Sequence, residues 1–272
     1  MTAVRLIVTA PRDDADRLSG ELWALGTLGI EERSGPPRGS QPMVVLLAGF
    51  ADEGAAREAA EMVGGHIEPV DVDAALDTWR RWASPVAAGD FWVVPEWIDS
   101  PTPPGMTRIQ LEPGRSFGIG SHITTVMALE MLSTIEIGGA RVLDMGTGTG
   151  VLAIACAARR ARSVVAIDCE RDAVEVARQN AQRNGFASKI DVAVGSTPPA
   201  SAGFDLVVAN LLLADIEPIA GALAGSVCPG GLLVTTGHMS NQRSRVQAAL
   251  GLPEVRHTER DGWSIAVYEA RG

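Results

Sequence analysis

Two acids and three glycines mark the stretch of this chain best suited to chemistry. The apolar run Val142-Leu-Asp144-Met leads into Gly146-Thr-Gly148-Thr-Gly150, and the apolar residues from Val151 onward open a helix. A second apolar run, Ser163 to Ile167, ends on Asp168, 20 residues after Gly148. Strand, glycine loop, helix, strand, acid is the order of a nucleotide-binding βαβ unit, with the acid placed for ribose hydroxyls. Glycines let a backbone approach a ligand closely, and the first turn of a helix offers N–H groups that have no partner within the helix.

The spacing alone leaves a dinucleotide open, because Gly148, Gly150 and Ala153 satisfy Gly-x-Gly-x-x-Gly/Ala. Asp144 argues the other way. An acid coming straight off the strand, two residues before the first glycine, repels a pyrophosphate and suits a cationic ligand. Asp144-x-Gly146-x-Gly148-x-Gly150 resembles the first motif of class I methyltransferases that use S-adenosylmethionine (SAM). SAM carries a sulfonium and an ammonium but no phosphate. A further candidate, Asn210, closes the apolar run Val207-Val-Ala209, at the end of a strand where ligands meet such sheets. Its side chain could hold an attacking amine, or it could be a strand-end cap. The four histidines, His66, His122, His238 and His257, show no ligand spacing, so no metal is expected.

These groups need a frame. From His122 onward strands and helices alternate: strands at Arg141–Met145, Ser163–Asp168, Ile190–Val194, Asp205–Ala209 and Gly231–Thr236, with helices from His122, Val151, Arg171, Asp215 and Ser240. The expected fold is α/β, a Rossmann-like doubly wound sheet, and a closing hairpin, Glu254–Thr258 and Trp263–Glu269, is typical of the SAM methyltransferase fold. The first 70 or so residues read β-α-β-β-α-β, a small ferredoxin-like α+β domain. Within it Asp13–Leu28 is expected as helix, Ser34–Pro42 as loop and Asp52 as a helix cap. The expected division is a small domain over 1–72, a connector helix and aromatic segment over 73–106, and the methyltransferase domain over 107–272. Four of the six tryptophans, Trp79, Trp82, Trp92 and Trp97, fall in the middle part.

The chain has 272 residues, is 46% hydrophobic and carries a net charge of −10. That is enough for one large domain or a large and a small one, and the acidic balance argues against nucleic acid as the main partner. Three cysteines, Cys156, Cys169 and Cys228, fit reduced thiols rather than a disulfide framework. With no signal segment and no apolar run of membrane-spanning length, the chain reads as soluble and cytoplasmic.

One segment is more specific. Leu111-Glu-Pro-Gly-Arg-Ser-Phe-Gly-Ile-Gly-Ser-His-Ile-Thr-Thr125 resembles the loop written Asp/Glu-Pro-Gly-x-Ala-Phe-Gly-Thr-Gly-Thr-His-Pro-Thr-Thr in the ribosomal protein L-eleven methyltransferases, the PrmA family. The resemblance extends to Trp79-Arg-Arg-Trp82, Trp92 to Trp97, Val208-Ala-Asn210-Leu-Leu and Gly237 to Gln242, and so to nearly the whole chain. Ile119, Ser121 and Ile123 depart from the family's Thr, Thr and Pro, and Leu211-Leu-Leu213 departs from its Ile-Leu-Ala. The resemblance implies a SAM-dependent protein N-methyltransferase acting on lysine ε-amines, the α-amine or both of ribosomal protein L-eleven, a basic ribosomal protein. The alternatives are an N-methyltransferase of another protein or a small amine, and a non-catalytic SAM-binding module. Charge and hydropathy point to no direct nucleic-acid or membrane contact. A monomer is favoured. The resemblance places the loop carrying Phe117, Gly118 and Gly120 over SAM, with Thr124 or Thr125 donating to the cofactor carboxylate. Phe117 could equally be core packing, and His122 is a candidate general base or a helix cap. Gly195-Ser-Thr-Pro-Pro199 should border the adenine.

Overall fold

Alternation of apolar residues builds the first sheet. Val4, Leu6, Val8 and Ala10 bury one face of β1 (Val4–Pro11), and Val44, Leu46, Ala48 and Phe50 bury one face of β3 (Gln41–Phe50). The computed structural model describes residues 4–27, 29–39, 41–50, 53–70, 83–112, 120–199 and 203–271. The expected connector helix over 73–82, with Trp79 and Trp82, and the Asp52 cap lie outside them. The chain divides into two compact units, Met1–Trp82 and Ala83–Gly272.

In the first unit α1 (Ala15–Ala24) and α2 (Glu53–Val63) cover a sheet of order β2-β3-β1-β4, where β2 is Gly29–Arg38 and β4 is His66–Pro69. Every pairing is antiparallel. Leu18, Leu22, Ala56 and Ala59 fill the core between helices and sheet. Two expectations are corrected here. The loop over Ser34–Pro42 is instead an extension of the β2–β3 hairpin, paired as far as Arg38 with Gln41. Pro36 and Pro37 are tolerated because β2 is an edge strand and the register shifts between Gly35 and Arg38. The helix expected to reach Leu28 ends at Ala24, where Gly26 takes a left-handed φ of 82° and breaks it.

In the second unit β5 (Val86–Ala88), β6 (Phe91–Pro95) and β7 (Thr107–Leu111) form a three-stranded sheet. The main sheet has seven strands in the order β10-β9-β8-β11-β12-β14-β13. These are β8 (Arg141–Met145), β9 (Ser163–Asp168), β10 (Ile190–Val194), β11 (Phe204–Asn210), β12 (Val227–Met239), β13 (Glu254–Arg260) and β14 (Trp263–Glu269). The first five run parallel, while β14 is antiparallel to both β12 and β13. The helices are α3 (Ile123–Thr134), α4 (Val151–Ala158), α5 (Arg171–Arg183), α6 (Leu213–Ser226) and α7 (Arg243–Leu250). α4 is apolar all round and buried from Val151 through Ala157, as a helix enclosed by its own domain must be. One core cluster joins Leu143, Phe204, Val207, Ile216, Leu233 and Tyr268. Strand β8 lies between β9 and β11, so the connections after β8 and β11 leave in opposite directions and open a crevice at the strands' C-terminal ends. No helix among the described residues is long and apolar enough to cross a membrane.

Candidate active site

The glycine loop leaves β8 through three left-handed residues, Gly146 (φ 74°), Gly148 (φ 53°) and Gly150 (φ 81°). Gly146 and Thr147 both donate to the Ile167 carbonyl, at 2.8 and 3.0 Å, tying the loop to the end of β9. Asp144 is buried beneath this loop. Its Oδ2 accepts from Thr147 Oγ1 at 2.6 Å and from the Ala153 amide at 3.0 Å, the latter in the first turn of α4. Its Oδ1 is buried without a hydrogen-bond partner. Burial pushes its carboxyl up to about 6, opposed by those two hydrogen bonds and aided by the nearby charge of Asp168. Asp144 therefore organises the loop from below.

Asp168 stands at the C-terminal end of β9. Its Oδ2 accepts from the Gly148 amide at 2.8 Å and its Oδ1 from the Glu170 amide at 3.0 Å. Each carboxylate oxygen has two lone pairs, so one on each remains for a ligand hydroxyl. The main-chain carbonyl of Asp168 takes the Gly195 amide at 2.8 Å, which brings the Gly195–Pro199 segment beside the same strand end.

Asn210 ends β11, one residue beyond the Ala209–Met145 pair that joins β11 to β8. The Asn210 amide nitrogen lies 3.5 Å from Thr125 Oγ1. Gly237 makes this strand end possible: at its φ of 88°, a Cβ would come within 2.6 Å of the Leu211 carbonyl and 2.8 Å of Asn210 Oδ1. His122 is the N-cap of α3. Its Nδ1 accepts from the Thr124 amide at 3.4 Å and lies 2.8 Å from Thr124 Oγ1. Its ring sits edge-on to Trp263 at 5.4 Å, and burial pushes its pKa down. Thr124 and Thr125 are both buried in the first turn of α3. Gly120 has a packing reason to be glycine, because a Cβ there would meet Val93 Cγ1 at 2.6 Å. Phe117 and Gly118 lie outside the described residues.

A family model described as ribosomal protein L11 methyltransferase (PrmA) matches residues 56–270. The chain belongs to that family. Ribosomal protein L11 methyltransferase of Sorangium cellulosum is 36% identical over 250 residues, covering 87% of this chain and 79% of its own length. The Ralstonia pickettii protein of that name is 33% identical and is covered to 97% on both sides. Among solved structures, a ribosomal protein L11 methylase from Lactobacillus delbrueckii subsp. bulgaricus superposes with a TM-score of 0.60 at 28% identity. It covers 67% of this chain and 96% of its own. This member of the PrmA family is thus a SAM-dependent methyltransferase that acts on a protein.

The donor set fits that cofactor. Two acids at one loop oppose a pyrophosphate, whereas a buried carboxylate oxygen with no donor suits a neighbouring positive charge. Two residues that matter to the geometry were not singled out from sequence. Gly237 carries no sequence signal beyond its place in a matching segment, since its role depends on a close approach to Leu211. Asn180, fully buried on α5, donates to the carbonyls of Thr149 and Glu112 and accepts from the Glu112 amide. Its sequence signal was no more than one polar position on a helix.

Proposed function

We propose that this chain transfers methyl groups from SAM to amines of ribosomal protein L11, on lysine ε-amines and the α-amine. The observation that supports this most is the neighbouring of two features at the ends of adjacent strands: an acid-lined glycine loop after β8 and Asn210 at the end of β11. When bound, SAM supplies the methyl group as the electrophile of an in-line displacement. Asp168 would hold the ribose hydroxyls with the lone pairs its backbone partners leave. The loop at Gly146 and Gly148 would let the backbone approach the cofactor, and Asp144 would fix that loop while its charge favours a cation.

Asn210 would orient the incoming amine, so that much of the rate comes from alignment. The acceptor must be neutral. A lysine costs about 4.6 kcal/mol to deprotonate at pH 7, and an α-amine about 1.4 kcal/mol. We assign His122 to holding the first turn of α3, since its Nδ1 already serves the cap, and leave the proton to solvent. Residues 1–72 are assigned to recruiting the protein, and the net charge of −10 favours a basic one. The test is methyl transfer from labelled SAM to purified ribosomal proteins, free and in assembled large subunits. Label on L11 that is lost in Asn210→Ala, with SAM binding kept, is the expected result. No label on L11 while SAM still binds by calorimetry would move the reaction to another acceptor.

A further inference from the structure

Strand β7 is an edge of its three-stranded sheet, yet the main-chain groups of Gln110 and Glu112 on its open side are all paired. They are paired by two side-chain amides, Asn180 of α5 and Asn184 at its C-cap. Asn184 accepts from the Gln110 amide at 2.9 Å and donates to its carbonyl at 2.7 Å. Asn180 accepts from the Glu112 amide at 2.9 Å and donates to its carbonyl at 2.8 Å. The match is geometric: four helical residues rise about 6.0 Å and two strand residues about 6.6 Å, so amides at i and i+4 of a helix fit alternate residues of a strand.

Asn180 does one thing that Asn184 does not. Its amide nitrogen also donates to the carbonyl of Thr149, inside the glycine loop, at 2.9 Å. Its oxygen takes a further hydrogen bond from Arg183 Nη1 at 2.6 Å, so all four hydrogen bonds of this amide are used. One helical turn earlier, α5 also touches the loop, where a Cβ on Gly150 would lie 3.2 Å from Ala177 Cβ. We infer that Asn180 is a positioning residue for the cofactor loop, locking the Thr149–Gly150 end of that loop to Glu112 at the end of β7. It touches neither cofactor nor substrate, and acts by fixing the loop that would. The inference rests on the reading of this loop as the SAM site.

The two asparagines provide their own comparison. Asn180→Ala and Asn184→Ala each remove both side-chain hydrogen bonds to one residue along β7 or its end, Glu112 and Gln110 respectively. Only the first frees the glycine loop. Calorimetry with SAM is expected to show binding weakened about tenfold or more in Asn180→Ala, as for a buried network left unpaired, and by less than about twofold in Asn184→Ala. The Michaelis constant for SAM should rise with the dissociation constant while kcat stays within about threefold, the signature of lost ground-state binding. Equal losses in both variants, or none in Asn180→Ala, would overturn the inference. A measurement on the unaltered chain stands if Asn180→Ala does not fold. Addition of SAM should slow hydrogen exchange of the Glu112 amide, which donates to Asn180, and leave that of Gln110 unchanged. An unaffected Glu112 amide would equally overturn it. An unaltered chain that binds no SAM would sink the cofactor reading and this inference together, whereas SAM binding with an indifferent Asn180 would sink this inference alone.

Discussion

Asp144→Asn isolates the titratable group around which the glycine loop is built. Burial holds the Asp144 carboxyl at about 6 rather than its ordinary 3.8. The folded chain therefore keeps this proton over a range where the unfolded chain has lost it. The group's contribution to stability is greatest below pH about 4, declines as pH rises, and by pH about 7 has fallen by about 3 kcal/mol. About 1.4 kcal/mol of that decline falls between pH 5 and pH 8. Asparagine keeps the shape and cannot ionise. Its oxygen can accept from Thr147 and Ala153, and its amide takes the place of the oxygen that has no partner. The expected result is a variant whose stability advantage over the parent grows by about 1.4 kcal/mol from pH 5 to pH 8, read by urea denaturation at both pH values. SAM affinity should fall at the same time, by about tenfold at pH 8, because a charged acceptor is replaced by a neutral one beside a cation. An advantage that is constant with pH, or that shrinks as pH rises, would refute the account of Asp144 as a buried charge tolerated for binding.

Three further outcomes follow from the geometry. Gly237→Ala sets a Cβ against the Leu211 main chain in a left-handed backbone; thermal unfolding should show a loss of about 3 kcal/mol, and methyl transfer should fall with it. Arg160 sits just past the end of α4 with a φ of 68°, a conformation that glycine adopts freely. Arg160→Gly should therefore raise stability by about 0.5–1 kcal/mol, visible as a higher denaturation midpoint, with turnover unchanged. The logarithm of the methyl-transfer rate should climb with pH at a slope near one while the acceptor amine is charged; a plateau beginning near pH 8 marks an α-amine, and a continued rise toward about 10 marks a lysine. A rate independent of pH from about 6 to 8 would mean that the site itself neutralises the amine.

Where an element is a short apolar run between turn residues, sequence reading located it to the residue. β8, β9, β10 and β14 all begin and end where the pattern places them. The doubly wound order and the two acids at the glycine loop were legible for the same reason, since strand, loop, helix and acid are consecutive in the chain. What could not be read depends on a partner far away in sequence. β12 continues through Pro229-Gly-Gly231 because Gly230 donates to Ala270 and Ala270 to Gly231, and nothing local announces that pairing. β2 runs through two prolines because it is an edge. Asn180 meets Thr149 across 31 residues and Glu112 across 68, so its role appears only once α5 and β7 are packed together. The three-residue strand β5 was missed because it is too short to show a period. His122 was weighed as base or cap, and its Nδ1 sits where a cap's acceptor belongs.

The order of strands also has a consequence for how the chain is made. β14 lies between β12 and β13 in the sheet but follows both in the sequence. When β13 has been synthesised it has no strand to pair with, and β12 has only one edge occupied. Strands β8 to β11 have their full complement of neighbours apart from β12 well before that point. β14 then pairs with β13 across the local Asp261-Gly262 turn and with the waiting edge of β12. Of its two pairings only that with β12 spans other elements, α7 and β13, and it is the last in the sheet to close. A nascent chain stopped before Trp263 would hold its acids and glycine loop in sequence while leaving the edge of β12 open to any other extended polypeptide.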